Sequence, residues 1–334
     1  MKRRQLLNGL AILILLVGMN GCDTQPPQLE SLVIAEAHQA AFGLIYIAEH
    51  EGYFREAGLD VTLQQHSSGR DAIAAVVAGN ADVGTPFETP VIINIQNQVP
   101  IRVLSSLALT KEYTQIVARK DSGIEKPEDL KGKRIGTSLN SSADYLLAVV
   151  LANAGIAPNQ IERVILSPKE AVESVIQGRV DAIAAWSPHT QNAIRILGAD
   201  AATVFTSPVY MEFITLSTVE QVINTRPEAL KKLLTALLRA EAFTQNQPEH
   251  ALQIIIETLS DQPAESVKQA WALIQPRVRL DNLLFATLSG ELKWYAANTG
   301  QQQSTVDLTS YFATDLLRSV RPTAVTLSPE YITH

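Results

Sequence analysis

Several short polar segments carry groups that could hold an anion. Segments 67–69 (Ser-Ser-Gly) and 140–142 (Asn-Ser-Ser) each precede a stretch with helical apolar spacing, and Thr85 follows an apolar run. Ser and Asn at such positions cap a helix, whose first N–H groups have no intrahelical partner. Those N–H groups and the helix dipole bind oxyanions without a full positive charge. The serines therefore predict helix caps, an oxyanion site, or both together.

Aromatic and ionisable side chains indicate a second chemistry. Phe87 and Trp186 occupy matching places in two similar segments and could form the walls of a cleft that selects a planar or apolar ligand. The alternative is that each packs into its own lobe. Glu88 could accept a hydrogen bond from an amine, or serve as a first-turn acid of a helix. Arg70 could neutralise an anion, or be solvated.

The sequence contains none of the common catalytic motifs. We find no P-loop, no GxGxxG, no GxSxG and no HExxH. The six histidines show no i, i+4 pairing, so no metal site and no cofactor are expected. The formal net charge is −7 and no basic stripe with interleaved aromatics occurs, so nucleic acid is not an expected partner. A binding protein is favoured over an enzyme.

A repeated unit predicts the elements that position these loops. Residues 71–84 and 170–183 share an amphipathic helix end, a glycine, and an aspartate that opens a short apolar strand. The two glycines, Gly79 and Gly178, lie 99 positions apart, and so do the two aspartates. Two such units predict two similar lobes, each an open α/β sheet. Ligands bind such sheets beyond the carboxyl ends of the strands.

The length of 334 residues also favours two lobes over one core. The pattern of strands and helices predicts lobe 1 at 31–109 and 208–334 and lobe 2 at 110–207, with two crossings between them. One continuous helix is expected over about 41–56. After the second crossing the chain is expected to be mainly helical, from about 227 to 318.

Residues 1–22 are similar to a lipoprotein signal peptide. A positive start (1–4) precedes an apolar stretch (6–19) that is too short to span a membrane. Cys22 follows Gly21, is the only cysteine and is the expected lipidation site. A plain secretory signal is the alternative. With a stiff, proline-containing linker at 23–30, this predicts a protein of the cell envelope, anchored on the outer face of the cytoplasmic membrane, or periplasmic where an outer membrane is present.

The run 43–61 (GLIYIAEHEGYFREAGLDV) resembles the NMT1/SsuA/TauA-like substrate-binding proteins of ABC importers. Segments 71–84, 130–136, 182–188, 223–234 and 308–322 fit the same family in order and spacing, so the resemblance covers about 31 to 327. It implies an α/β, two-lobed periplasmic-binding-protein type II fold with a hinged cleft between the lobes and two crossovers. It also implies a small-molecule ligand and the transmembrane subunits of an ABC permease as partners, and we expect a monomer.

The resemblance implies ligand contacts in five loops and near the return crossing. They are His38, Phe42, Ser67, Ser68, Gly69, Thr85, Phe87, Glu88, Asn140, Ser141, Ser142, Trp186, His189 and Tyr210. The first expected ligand is a small organic anion such as an aliphatic sulfonate, taurine or a nitrate-like ion. The second is a planar heterocycle such as an aminopyrimidine, a thiamine precursor or riboflavin. A pyrimidine synthase is less favoured, because this chain lacks its cysteine cluster.

Overall fold

The computed structural model of the protein describes residues 29–299 and 306–328. The predicted signal peptide, Cys22 and most of the predicted linker lie outside the described residues. No helix in the described part of the chain combines the length and apolar character needed to cross a membrane.

The described residues form twelve strands. In chain order they are β1 (Glu30–Glu36), β2 (Leu59–Gln65), β3 (Val83–Gly84), β4 (Ile101–Thr110), β5 (Thr114–Arg119), β6 (Arg134–Thr137), β7 (Glu162–Ile165), β8 (Ala182–Trp186), β9 (Ala202–Phe205), β10 (Glu212–Val219), β11 (Gln275–Asp281) and β12 (Val325–Thr326).

Thirteen α-helices are described in the same part of the chain. They are α1 (Gly43–His50), α2 (Tyr53–Glu56), α3 (Gly69–Val77), α4 (Glu88–Gln96), α5 (Ser142–Asn153), α6 (Pro168–Ile176), α7 (His189–Leu197), α8 (Glu220–Thr225), α9 (Pro227–Asn246), α10 (Pro248–Thr258), α11 (Ala264–Ala272), α12 (Asn282–Thr299) and α13 (Thr314–Val320).

The strands form two sheets with related orders. The larger is β12-β11-β4-β10-β3-β1-β2, and the smaller is β7-β6-β8-β5-β9. In each, three parallel strands are followed by one antiparallel strand that comes from a crossing between the sheets, β10 in the larger and β5 in the smaller. Parallel strands with intervening helices place the following loops at one edge of each sheet.

Local sequence explains the ends of the repeated helices. Gly79 and Gly178 adopt left-handed backbone conformations, with φ of 76° and 69°, directly after α3 and α6. A residue without Cβ adopts this conformation at little cost, so both helices end there. The helix predicted over 41–56 is interrupted, because Gly52 has a φ of 71° and separates α1 from α2.

Three strands were not predicted from the sequence. β10, β11 and β12 lie in the region after the second crossing, which was expected to be mainly helical. β10 is buried on both sides between β3 and β4, so its residues show no alternation of polar and apolar faces. The region after the second crossing is mainly helical, as expected, but the prediction omitted these three strands.

Two short crossings connect the sheets. β4 leads to β5 through residues 111–113, and β9 leads to β10 through residues 206–211. The buried Glu212 joins the crossings, because its carboxylate accepts hydrogen bonds from the backbone N–H of Thr114 at 2.9 Å and from the Thr114 hydroxyl. This contact ties the first residues of β5 and β10 together at the place where the chain passes between the sheets.

Candidate functional site

A cavity of about 240 Å³ lies between the two sheets. The larger sheet contributes the loops that follow β1, β2 and β3. The smaller sheet contributes the loops that follow β6 and β7 and the last residues of β7 and β8. The lining residues that were predicted from the sequence are Phe42, Ser67, Ser68, Gly69, Phe87, Ser141, Ser142 and Trp186. The other lining residues are Gln39, Arg70, Asp71, Pro90, Ser138, Leu139, Ile165, Leu166, Ser167, Pro168 and Glu170.

Three serine-capped helices begin at this cavity. Ser68, Ser141 and Ser167 accept hydrogen bonds from backbone N–H groups in the first turns of α3, α5 and α6. These caps leave other first-turn N–H groups without a helical partner. Three helix N-termini that converge from both sheets make the cavity attractive to an anion.

The serine hydroxyl protons are already engaged in hydrogen bonds. Ser67 and Ser68 both donate to Asp71, and Ser141 donates to the carbonyl oxygen of Ser138 at 2.6 Å. Ser142 lies 3.4 Å from the hydroxyl of Thr114. The free donors are therefore backbone amides. No described residue accepts a hydrogen bond from the N–H groups of positions 69, 70, 142 and 143.

Gly69 permits the close packing that sets the direction of α3. A Cβ at this position would lie 3.0 Å from the Cα of Pro86 and 3.3 Å from the backbone nitrogen of Phe87. Both neighbours are backbone atoms, so they cannot move aside as a flexible side chain would. A larger residue would push this backbone aside by a few tenths of an ångström, so glycine is favoured where α3 begins against the loop after β3.

Aromatic side chains form the apolar walls. Phe87 stacks on Tyr113, with ring centroids 5.7 Å apart and planes at 26°. Trp186 ends β8 on the opposite side of the cavity, and Phe42 lies in the turn after β1. Aromatic surfaces from both lobes suit a ligand with a planar or apolar body.

Arg70 is the only basic side chain among the described residues that line the cavity. Its guanidinium donates to the backbone carbonyl oxygen of Leu139 at 2.9 Å, and this hydrogen bond crosses from the larger sheet to the smaller one. About half of the Arg70 side chain remains exposed. The same group can therefore hold the lobes together and present positive charge at the cavity.

Two carboxylates lie at the cavity as well. Burial acts to raise the pKa of Asp71, but hydrogen bonds from Ser67 and Ser68 and the adjacent Arg70 bring it below its ordinary value. Hydrogen bonds from Ser167 lower the pKa of Glu170. Both groups are consequently ionised at neutral pH. The cavity thus combines amide donors and one guanidinium with two negative charges.

Three of the predicted contacts are buried elsewhere and do not line the cavity. The Thr85 hydroxyl donates to the carbonyl oxygen of Ala35 at 3.3 Å. The Glu88 carboxylate accepts hydrogen bonds from the Tyr210 hydroxyl and, at 2.7 Å, from the backbone N–H of Phe213. Burial raises the pKa of Glu88 to about 7. Glu88 and Tyr210 therefore hold each other instead of facing the ligand space.

Three further predicted contacts lie close to lining residues without lining the cavity. His38 contacts Asp261 and Gln65 through its two ring nitrogens, at 3.1 and 3.0 Å. Asn140 has a φ of 59°, and its N–H donates to Asp144 just before α5. His189 lies beside Trp186 and burial lowers its pKa to about 4. His189 is therefore neutral at physiological pH.

The chain is similar to several known proteins. The NMT1/THI5-like family matches residues 39–251 of the chain. The chain belongs to this family. A taurine-binding periplasmic protein of Escherichia coli is 29% identical over 162 residues, which are 48% of this chain and 50% of that protein. A putative thiamine biosynthesis protein of Haemophilus influenzae is 25% identical over 221 residues, 64% of this chain and 68% of that protein.

The fold of this NMT1/THI5-like protein is shared with a solved structure. The periplasmic aliphatic sulphonate binding protein SsuA from Escherichia coli matches with a TM-score of 0.72 at 19% identity, covering 86% of this chain and 99% of that one. The predicted α/β, two-lobed periplasmic-binding-protein type II fold with an inter-lobe cleft is thus confirmed. The chain spans about half of the taurine-binding protein and about two thirds of the thiamine-related one.

The inter-lobe cavity of this NMT1/THI5-like protein includes a loop that was not predicted to line it. Ser167, Pro168 and Glu170 begin α6, the helix of the second repeat, and Ser167 stands 99 positions after Ser68. Applying the repeat offset to the first loop would have found them. Gln39 had no such signal, because its place in the cavity depends on the turn between β1 and α1. Among the described residues, no group of three or more His, Cys, Asp or Glu side chains could hold a metal ion.

Proposed function

We propose that this protein is the extracytoplasmic solute-binding component of an ABC importer. It binds a small organic anion, such as an aliphatic sulfonate, taurine or a nitrate-like ion, in the inter-lobe cavity and delivers it to a permease. The observation that carries the proposal is the convergence of three serine-capped helix N-termini, from both lobes, on one cavity. The names of the taurine-binding and sulphonate-binding proteins support the same ligand class.

Backbone amides supply the anion contacts in this proposal. The N–H groups of positions 69, 70, 142 and 143 have no other partner among the described residues, and Arg70 adds the charge. An oxyanion between α3 and α5 would receive donors from both lobes at once. An aminosulfonate such as taurine would in addition place its ammonium group near Asp71 or Glu170.

Closure of the lobes is the proposed means of capture. We assign residues 31–109 and 208–334 to lobe 1 and residues 110–207 to lobe 2, with the Glu212–Thr114 bonds at the hinge. The hydrogen bond from Arg70 to the Leu139 carbonyl exists only when the lobes are close. A ligand that makes contacts present only in the closed state shifts the equilibrium from the open to the closed conformation.

A planar heterocycle is the second candidate ligand. Phe42, Phe87 and Trp186 offer aromatic faces, and Asp71 could accept hydrogen bonds from an exocyclic amine. The name of the Haemophilus influenzae relative, a putative thiamine biosynthesis protein, favours this candidate. In either case the protein binds its ligand and does not transform it, as the names of the taurine-binding and sulphonate-binding proteins indicate.

The cellular setting is part of the proposal. Lipidation at Cys22 would anchor a monomer through the linker at 23–30 on the outer face of the cytoplasmic membrane, in the periplasm where an outer membrane is present. From there the closed form would meet the transmembrane subunits of the permease. Mass spectrometry of the protein from a membrane fraction tests the lipid, since an unmodified cysteine would exclude this anchor.

A thermal-shift panel on residues 23–334 tests the ligand class. Alkylsulfonates, taurine, nitrate and bicarbonate are compared with aminopyrimidines, thiamine and riboflavin. A ligand at about 100 times its dissociation constant stabilises the folded state by about 2.7 kcal/mol, which raises the melting temperature visibly. We expect the sulfonates to give the rise. A rise with ring compounds alone would select the second candidate, and no rise with any compound would contradict both.

The variant Arg70→Gln distinguishes an anionic ligand from a neutral one. This change should weaken binding of an anion much more than binding of a neutral ring, because it removes the cationic side chain that the described residues contribute to the lining. Arg55→Gln, at an exposed position in α2, is the matched control and should leave both affinities unchanged. Equal losses for both ligand types in the Arg70 variant would count against a charge contact.

A further inference from the structure

A second cavity of about 310 Å³ lies at the hinge, separate from the inter-lobe cavity. Tyr145 and Val149 of α5 line one side, Tyr210 and Met211 of the return crossing line another, and α12 contributes the rest, including Glu291. This volume is near the lower end of small-molecule sites, which run from roughly 300 to 1,000 Å³. None of the residues of the first cavity lines the second one.

Glu291 gives this second cavity an unusual polar group. The side chain is 1% exposed, and its Oε1 accepts a hydrogen bond from the Thr89 hydroxyl at 2.5 Å. Its Oε2 is buried and has no hydrogen-bond partner among the described residues. A buried carboxyl oxygen without a partner costs free energy, and a donor in the adjoining cavity would relieve that cost.

Among the described residues, Glu291 forms no ion pair with a positively charged side chain. Glu88 of α4 and Glu212 of β10 are also completely buried, and both act electrostatically on Glu291. No Lys, Arg or His of the described residues forms an ion pair with any of the three, which contact Tyr210, Thr114, Thr89 and backbone N–H groups. Glu88 and Glu212 have both oxygens hydrogen-bonded, so Glu291 is the one that leaves an oxygen open.

Aromatic rings complete the lining. Tyr145 lies edge-on to Tyr210, with centroids 5.0 Å apart, and edge-on to Trp294, with centroids 4.9 Å apart. Met211 and Val149 add apolar surface. A carboxyl group beside tyrosine rings in an otherwise apolar cavity is the chemistry that recognises an alkylammonium ion, through charge, hydrogen bonds and cation–π contact.

We propose that the hinge cavity binds a small organic ammonium ion, with the nitrogen at Glu291 Oε2 and the alkyl part against Tyr145 and Met211. This site is separate from the cavity proposed for the transport ligand, and its presence does not rest on that proposal. Because its walls come from α5 of the smaller lobe, α12 of the larger lobe and the crossing between them, its shape depends on the angle between the lobes. An ammonium ion bound there would consequently alter closure around the other cavity, and the effect would be reciprocal.

Binding should release a proton. Burial, and after it the neighbouring Glu88 carboxyl, raise the pKa of Glu291 well above its ordinary value, and Glu212 acts in the same direction. A bound cation favours the ionised carboxylate, so it displaces to solvent the proton that Glu291 carries below this raised pKa. Affinity should rise as the pH is raised towards this pKa, by up to about tenfold per pH unit.

Isothermal titration calorimetry with n-butylammonium chloride tests the proposal on residues 23–334. Neutral n-butanol is the matched ligand control, and sodium chloride keeps the ionic strength equal. We expect saturable binding of the ammonium ion only, with affinity that rises with pH. Titrations in two buffers of different ionisation enthalpy should report the released proton. Absence of saturable binding, or equal binding of butanol, would overturn the proposal.

Two variants locate the binding. Glu291→Gln keeps the shape and the contact to Thr89 but removes the charge, and should weaken binding by at least about tenfold. Gly290→Phe places a ring beside the cavity, where a Cβ meets no atom within 4 Å, and should block binding while the helix remains stable. Glu249→Gln, at an exposed position, is the control and should bind normally. Unchanged binding in either of the first two variants would place the ion elsewhere and overturn the proposal.

Discussion

Each lobe uses the aspartate of its repeated unit, Asp82 or Asp181, to anchor one strand to its neighbour. The arginine that pairs with this aspartate is much further away along the chain in lobe 1 than in lobe 2. Asp82 accepts a hydrogen bond from the backbone N–H of Val33 in β1 at 2.8 Å, and Asp181 accepts one from the backbone N–H of Arg134 in β6, also at 2.8 Å. Each carboxylate thus ties the strand that follows it, β3 or β8, to the parallel strand beside it, β1 or β6.

The counter-ions differ. Asp82 pairs with Arg226, which precedes α9 and lies 144 residues further along the chain. Asp181 pairs with the side chain of Arg134 itself, 47 residues earlier. Lobe 2 therefore completes its anchor within one continuous segment, whereas lobe 1 completes its anchor only after the chain has crossed to lobe 2 and returned. A repeat in the sequence can thus preserve the hydrogen bond from the backbone to the aspartate, while the arginine that balances the charge of this aspartate comes from a different part of the chain.

Removing the two aspartates should have the largest effect. Asp82→Ala and Asp181→Ala each take an acceptor from a backbone N–H and a counter-ion from an arginine, so each should lower the free energy of unfolding by about 2 to 3 kcal/mol. Urea unfolding measures this. Hydrogen exchange should then distinguish the two lobes. Amide exchange should be faster in β1 and α9 for the Asp82 variant and in β6 for the Asp181 variant.

Asp121→Ala is the control for this pair. Asp121 also pairs with an arginine, Arg119, but on the surface, and it should give no measurable change. Asp82→Ala could instead accelerate hydrogen exchange only in β1 and leave α9 protected. The position of α9 would then not depend on the Arg226–Asp82 ion pair, and the contrast between a remote and a local counter-ion would be wrong.

The aromatic side chains of the cavity extend the comparison to binding. Phe87 and Trp186 lie 99 positions apart, like the aspartates, and both line the inter-lobe cavity. Phe87 already stacks on Tyr113, whereas the Trp186 indole N–H forms no hydrogen bond with a described residue. Trp186→Leu should therefore weaken ligand binding by at least about tenfold, and Phe87→Leu should weaken it less.

Calorimetry with the compound that gives the largest thermal shift measures both affinities. Circular dichroism checks that each variant is folded, since both side chains are largely buried. Equal losses would mean that the two lobes contribute alike. No loss in the Trp186 variant would remove this residue from the proposed binding site.

The sequence predicted those parts of the molecule that depend on neighbouring residues. β2 and β6 were predicted at the positions where they occur, and both repeat glycines adopt the expected left-handed conformation. β10 was missed because Thr215 and Ser217, which look exposed in sequence, are completely buried and hydrogen-bond to each other's hydroxyls. Their burial follows from the antiparallel strand that reaches the middle of the sheet from the other lobe.

The predictions for the cavity show the same limit. Loops that follow strands were correctly expected to gather at one edge of each sheet, so the segments at 67–69 and 141–142 line the cavity. Glu88 and Tyr210 were predicted as ligand contacts, yet they pair with each other across 122 residues of chain. Nothing local in the sequence indicates such a partner. Both side chains are buried against each other, so neither lines the inter-lobe cavity.

The pH dependence of the lobe 2 anchor should have the smallest effect. Hydrogen bonds from Arg134 hold the pKa of Asp181 below its ordinary value, so the folded state binds this proton less tightly than the unfolded chain. Its contribution to stability is fully present above the unfolded pKa, about 3.9, and is lost as the pH falls through the lower folded value. Asp181→Asn keeps an acceptor for the backbone N–H but carries no charge. It should be less stable than the wild type by about 1 kcal/mol near neutral pH.

That stability difference should shrink as the pH falls below about 4, since the wild-type carboxylate then becomes protonated and resembles the Asn side chain. Urea midpoints of the two proteins between neutral and acidic pH measure it. A difference that stayed constant down to acid pH would mean that the shape of the Asp side chain matters more than its charge. The Arg134 pair would then be incidental to the anchor, and the lobes would share only the bond from Asp to backbone.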